Sequence, residues 1–218
     1  MGSNFIENMR NAVDAQWVEI KRGVFWCRVM ERPVTLGFYR DLMLQMWHHS
    51  RHNAMNQAVA TFVPAPEALL KFFYRQAAEE LGHERMVVHD LKSIGIYDET
   101  DLNRPPLPAT EALIGYLYYV GLRYGAVARL GYSFWAERSH DHVKELVAKI
   151  SEDLNLARQN VTFFSKHAET DLVHAPQVEQ ALERFAISAR DQELARQVAT
   201  TSLFLTGQLL NQAAGRHL

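Results

Sequence analysis

Apolar side chains along most of the chain recur every three to four residues, the period of a helix that buries one face. This pattern predicts helices over roughly 4–21, 36–62, 66–94, 110–139, 142–150, 156–174, 177–187 and 190–214. No alternation of apolar and polar residues lasts long enough to predict a strand. Thr35 is placed to cap the second helix, and Pro64-Ala65-Pro66 separates it from the third. Ser93-Ile94-Gly95 ends the third with a glycine suited to a left-handed C-cap. Residues 97–108 hold three prolines and three acids and read as a surface loop, after which Thr110 is the expected cap of the fourth helix. Rods of 25 residues or more would reach about 40 Å, and such rods pack as a bundle. The expected fold is all-α, one helical bundle over residues 1–218, with no linker or internal repeat dividing it.

Composition agrees. The 11 Gly and 7 Pro among 218 residues make about 8 %, against an average nearer ~12 %. The 23 Lys+Arg against 25 Asp+Glu give a net charge of −2, without the basic excess that holds a phosphate backbone, so nucleic acid is not an expected partner. A single cysteine, Cys27, excludes an internal disulfide and a thiolate cluster, and is expected as a buried structural thiol. The N-terminal residues lack the basic-then-apolar order of a signal peptide. Ile6 stands where a myristoylation signal needs Ser or Thr. Charge interrupts every apolar stretch, so no membrane span is expected, and the reading is a cytoplasmic protein. Ten histidines are the one unusual count.

Their spacing carries the chemistry. In the segment from Phe163 to His174, a helix turning about 100° per residue puts Asp171 about 40° and His174 about −20° from His167. Two imidazoles and a carboxylate within one wedge of about 60° suit a divalent transition metal. The flanking Phe163 and Phe164 argue that this face is buried rather than a solvated polar stripe. A second cluster, Glu80-x-x-His83, is a recurrent half-site of carboxylate-bridged dimetal proteins. Glu84 could add a ligand or a base, whereas Glu79 points about 100° away and is expected in solvent. Glu137 closes a run of aromatic and small residues, either as a buried ligand or as the point where the helix meets water. His140 makes a second Glu-x-x-His with it, which keeps a ferritin-like bundle in view. Trp47, His48, Arg51 and Phe134, with Met43, Met46, His49, His52 and Tyr132, are expected to line a substrate cavity. Arg51 would face a substrate carboxylate there.

Taken together, Glu80-x-x-His83, Glu137 and His167-x-x-x-Asp171-x-x-His174 resemble the haem-oxygenase-like diiron oxidases. That superfamily also holds thiaminase-type and pyrroloquinoline-quinone-synthase-type proteins. The run from Glu79 to Glu84 that leads to Asp90-Leu91-Lys92-Ser93-Ile94-Gly95 is similar to the family's third core helix, and the resemblance covers roughly residues 35–210. It implies a haem-free bundle of seven to eight helices binding two irons that cycle between Fe²⁺ and Fe³⁺, with manganese the other candidate metal. Glu80 would bridge the metals, His83 and Glu137 would complete one side, and His167, Asp171 and His174 would supply the rest. The implied co-substrate is O₂, the implied partners are an external electron donor and a small-molecule substrate, and the implied assembly is a homodimer. N-oxygenation, oxidative C–C cleavage or decarboxylation, and desaturation of amino-acid-like or fatty-acid-like substrates all fall within this implied range. Two alternatives remain. One is a metal-free enzyme of the thiaminase or quinone-synthase type, although the former uses a mid-domain cysteine absent here. The other is a non-catalytic helical binding protein.

Overall fold

The computed structural model describes residues 2–217, and the side chains of Ser3 and Asp171 lie outside the described residues. Eleven α-helices carry the fold: α1 (Gly2–Lys21), α2 (Val24–Glu31), α3 (Leu36–Ser50), α4 (Asn53–Val59), α5 (Glu67–Glu80), α6 (Glu84–Ser93), α7 (Pro108–Tyr124), α8 (Ala126–Ala136), α9 (His140–Asp153), α10 (Thr162–Phe185) and α11 (Ala189–Gly215). Three 3₁₀ segments join them at Ala60–Phe62, Glu99–Asn103 and Arg158–Asn160, and no strand occurs among the described residues.

The helix count exceeds seven to eight because three expected rods are each divided. The rod over 36–62 breaks at Arg51–His52, that over 66–94 at Leu81–His83, and that over 110–139 at Gly125. Gly82 and Gly125 adopt φ of +93° and +78°, a region that L side chains rarely enter, so these two breaks are written in glycine. The reverse happens at Pro176, which was expected to separate two helices but lies within α10. Proline removes one backbone bond, to the carbonyl of Leu172. Leu172 and Pro176 both face solvent, where water can satisfy that carbonyl. α2 was not foreseen, yet it buries Phe25, Trp26 and Val29.

Capping followed the expected chemistry at Thr35, whose hydroxyl accepts from Phe38 N at 3.3 Å. Gly95 closes α6 at φ +74° with Ile96 N donating to Leu91 O. Thr110 corrects its expectation. It sits inside α7, fully buried, and its hydroxyl donates to Gln45 Oε1 at 2.7 Å, while Pro108 begins the helix. Cys27 is exposed rather than buried.

α11 runs through the centre and packs on α8, α7, α1, α2 and α3. Its buried face includes Ala195, Ala199, Ser202, Gly207, Ala213 and Ala214, small residues that let neighbours come close. Closest is α8: a Cβ at Gly131 would lie 2.1 Å from Ala195 O and 3.1 Å from Ala199 N. Backbone on both sides cannot yield, so Gly131→Ala must push α8 from α11 at a cost of about 1–3 kcal/mol or more. Thermal unfolding followed by circular dichroism should show a clear fall in melting temperature. Gly215→Ala, with nothing within 4 Å of its Cβ, should melt like the parent.

Candidate metal centre

Glu80 is the last residue of α5, with its side chain 11 % exposed. The chain turns at Leu81 and Gly82, and His83 caps α6. The Glu-x-x-His pair therefore spans a kink instead of one helix, and the glycine makes that kink available. Across it, His83 Nδ1 lies 3.1 Å from Glu80 Oε2.

The third member comes from α10, whose start is held by a fully buried carboxylate. Asp90 accepts from Thr162 N at 2.9 Å, Thr162 Oγ1 at 2.6 Å and Phe163 N at 2.9 Å. These bonds satisfy amides that a helix N-terminus otherwise leaves unpaired. One turn on, His167 Nδ1 is 2.6 Å from Phe163 O. A carbonyl only accepts, so Nδ1 carries a proton, and Nε2 is the nitrogen left to face a metal. The His83 and His167 rings meet edge to face, with centroids 5.1 Å apart. One ligand atom each from Glu80, His83 and His167 falls within 4.8 Å of the others, the only such group of three among the described residues.

A second pairing adjoins it. Glu137, the residue that ends α8, places Oε2 3.3 Å from His174 Nδ1. On the other side of that ring, Glu79 Oε2 lies 3.1 Å from His174 Nε2. Glu79 was expected to be simply solvated. Its side chain is 44 % exposed, yet its carboxylate turns back onto α10. The Asp171 side chain lies outside the described residues, so its part as a ligand rests on the resemblance alone. Glu84 opens α6 and acts on His83 through charge, outside the convergent group of three.

The buried nitrogens of this cluster fit a metal. His83 Nδ1 and His174 Nδ1 are both buried without a hydrogen-bond partner among the described residues, each beside a carboxylate oxygen. Orphaned buried polar atoms are costly, and a cation with nitrogen and oxygen ligands would satisfy both.

Electrostatics follow from this crowding. Burial opposes ionisation of Glu80, but the His83 contact, the His167 charge and the Asn53 amide at 3.5 Å outweigh it and hold its carboxyl below the usual range. Glu80 raises His83, and Glu137 raises His174, both above ordinary histidine basicity. Beneath the site lies Arg129, a fully buried cation that the sequence reading overlooked. Its Nε and Nη2 donate to Asn56 Oδ1 at 3.0 and 2.6 Å, Nη1 donates to Ser133 Oγ at 3.1 Å, and its guanidinium covers the Tyr132 ring at 4.3 Å. Burial lowers its pKa only to about 10, so it stays charged, and it acts on Glu80 and Glu137 through charge. Its signal was legible: Arg129 is the one charged residue in the otherwise uncharged helix α8.

A cavity of about 500 Å³ opens onto Glu80, Glu137 and His167. Met46, Trp135, Val143, Leu146, Phe163 and Leu172 contribute to its largely apolar wall, and His140 also faces it. Of the expected substrate residues, Trp47, His48, Arg51 and Phe134 are not on that wall. The helical turn decides this, because the face of α3 that meets the cavity carries Leu42, Met46 and His49. Arg51 lies over the Trp47 ring at 4.7 Å, His48 packs edge-on against Trp47, and Phe134 borders a smaller hollow beside Arg138. Met43 is buried in the core. His49 takes the position foreseen for His48. It is half-buried on that wall, burial and the Arg129 charge lower its pKa to about 4, and its Nε2 is 3.2 Å from the Tyr132 hydroxyl.

Residues 40–206 match the family model described as iron-containing redox enzyme. The chain belongs to that family. A solved family-like fold, a domain of unknown function with a heme oxygenase-like fold from Shewanella denitrificans, is 33 % identical, with 97 % of this chain and 92 % of that one covered and a TM-score of 0.94. A TenA homologue from Pseudomonas syringae, 15 % identical, covers 96 % of this chain and 92 % of its own with a TM-score of 0.77. Another from P. horikoshii, 14 % identical, covers 96 % and 97 % with a TM-score of 0.75. No protein of curated function matches. For this member of the iron-containing redox enzyme family the bundle is thus a heme oxygenase-like fold. The same comparison settles the ferritin-like alternative that His140 had kept in view.

The raised basicity of His83 and His174 has a pH consequence. Each contact stabilises the metal-free fold fully below the unfolded histidine pKa and loses that contribution as pH rises through the raised folded value. Metal binding runs the opposite way, because each nitrogen must shed its proton first. Affinity for Co²⁺ should rise from about pH 6 to about pH 8, by up to about tenfold per pH unit for each proton displaced. Calorimetric titration in two buffers of different ionisation heat measures both terms; equal affinities and no proton release would contradict the assignment.

Proposed function

We propose that this family member is a non-haem diiron oxidase or oxygenase that uses O₂ and an external electron donor to oxidise a small, mainly apolar metabolite. The observation that carries the reading is that Glu80, Glu137 and His167 share one cavity whose remaining wall is largely hydrocarbon. Such a chamber would put an apolar substrate beside the metal ligands. Glu80, His83 and His167 would hold one iron; Glu137, His174 and, by the resemblance, Asp171 would hold the other, with Glu80 shared. When bound, the two irons supply electrons and open coordination positions for O₂.

The chain's own residues do the rest. Asn53 orients the Glu80 carboxylate through Nδ2, and the Phe163 carbonyl fixes the tautomer of His167. Arg129 offsets the carboxylate charge from below. Burial keeps the Tyr132 phenol protonated, and neutral His49 stands 3.2 Å away, so the pair can hold or hand on a proton at the cavity wall. Lys144 and Arg158, in place of Arg51, are the cations on that wall, Arg158 already paired with Glu169. A substrate with a long apolar body fits this lining better than a polar amino acid. Reduction of O₂ takes four electrons, which substrate and donor supply together. The substrate, the donor and a second copy of the chain are the partners this reading expects.

Anaerobic loading with Fe²⁺ followed by elemental analysis should give two irons per chain, and O₂ uptake should then depend on that iron. Fewer than one iron per chain, with uptake unchanged by loading, would overturn the proposal. His167→Ala should weaken metal retention by about 10-fold or more. Turnover that persists in strong chelator would favour the metal-free enzyme instead.

A further inference from the structure

Glu79 and Glu80 are neighbours at the end of α5, and consecutive helical residues point about 100° apart. Glu80 addresses His83 and His167; Glu79 addresses His174. His174 is therefore held between two carboxylates, Glu137 beside Nδ1 and Glu79 beside Nε2. The two nitrogens of an imidazole point in different directions, so one metal ion takes only one of them. The remaining N–H of a metal-bound histidine almost always goes to a carboxylate, a carbonyl or water.

The surroundings distinguish the two sides. Nδ1 is buried and without a hydrogen-bond partner, and the Glu137 next to it lines the cavity with its side chain 11 % exposed. Glu79 lies on the solvent side, 44 % exposed, and is absent from the cavity wall. His167 shows the same division of labour with its nitrogens exchanged, Nδ1 tied to Phe163 O and Nε2 without a hydrogen-bond partner among the described residues.

We infer that Glu79 is a positioning residue of the metal centre, accepting the Nε2 proton of His174 and so presenting the Nδ1 lone pair to a metal shared with Glu137. This rests on the dimetal reading above. Glu79 needs no place in the metal's own coordination sphere. It fixes the tautomer and the ring orientation from outside, where its charge also raises the basicity of the ligand.

The test is anaerobic titration of the full chain with Fe²⁺, and in parallel with Co²⁺, for the parent, Glu79→Ala and Glu79→Gln. The parent should bind two ions. Glu79→Ala should bind the first with unchanged affinity and the second about 10- to 100-fold more weakly. Glu79→Gln retains an oxygen that accepts an N–H and should recover most of the loss. Parental affinities for both ions in Glu79→Ala would overturn the inference. So would a Glu79→Gln variant as weak as the alanine variant, the result expected of a direct ligand. Long-range ¹H–¹⁵N spectra of the metal-free protein read the contact independently of metal. The His174 ring should carry its proton on Nε2 in the parent and lose that preference in Glu79→Ala; a proton confined to Nδ1 in the parent would overturn the inference. A parent that binds fewer than two ions while keeping that Glu79-dependent Nε2 proton would defeat the dimetal reading and leave the contact standing. Unchanged thermal unfolding of metal-free Glu79→Ala separates positioning from a general loss of fold.

Discussion

A carboxylate inside a helical bundle has to be compensated, and Glu80 is the carboxylate around which this bundle is arranged. Its side chain is 11 % exposed, far from the water that would normally stabilise its charge. Three partners from different parts of the chain converge on it. His83 reaches it across a glycine kink, Asn53 brings an amide from α4, and His167 arrives from α10. Arg129 adds a permanent charge that no carboxylate among the described residues neutralises by direct contact. An arrangement so dense in nitrogen and oxygen, with two imidazole nitrogens unpartnered among the described residues, is suited to a cation at its centre.

The breaks in the long rods are what make that arrangement reachable. A straight helix through residues 66–94 would carry Glu80 and His83 on a single face, with no freedom to adjust their separation. The left-handed glycine at 82 uncouples them, so that α5 delivers Glu79 and Glu80 while His83 caps α6. The break at Arg51–His52 similarly puts His49 at the end of α3 and Asn53 at the start of α4, both on the cavity wall. At Gly125 the chain restarts as α8, whose glycine at 131 then lets it lie against α11. Each interruption costs backbone hydrogen bonds and returns a functional position.

Relatives at 14 % and 15 % identity keep the bundle at TM-scores of 0.75 and 0.77, so the fold tolerates wide change in sequence. Fold likeness at that distance says nothing of chemistry, because function resides in the site that the fold displays. The matched family, by contrast, concerns iron and redox chemistry, and this chain supplies a group of ligands suited to it.

The helical class, the bundle and the metal-competent side chains were all readable in one dimension. Helix period, scarce breakers and the spacing of His167 and His174 are local properties, and burial on one face is enough to select them. Thr35 and Gly95 were readable for the same reason, since a cap depends on the residues beside it. What lay beyond the sequence was every relation between helices. Helix spacing could say that His48 and His49 point to neighbouring faces, but only the packing of α3 against α6, α7 and α11 decided that His49 faces the cavity. It could place Glu79 away from Glu80, but only the proximity of α10 turned that carboxylate onto His174. Pro176 looked like a stop until the helix around it proved to have its weak carbonyl in water. Local chemistry sets which atoms can bond; the crossing of helices far apart in the chain sets which of them meet.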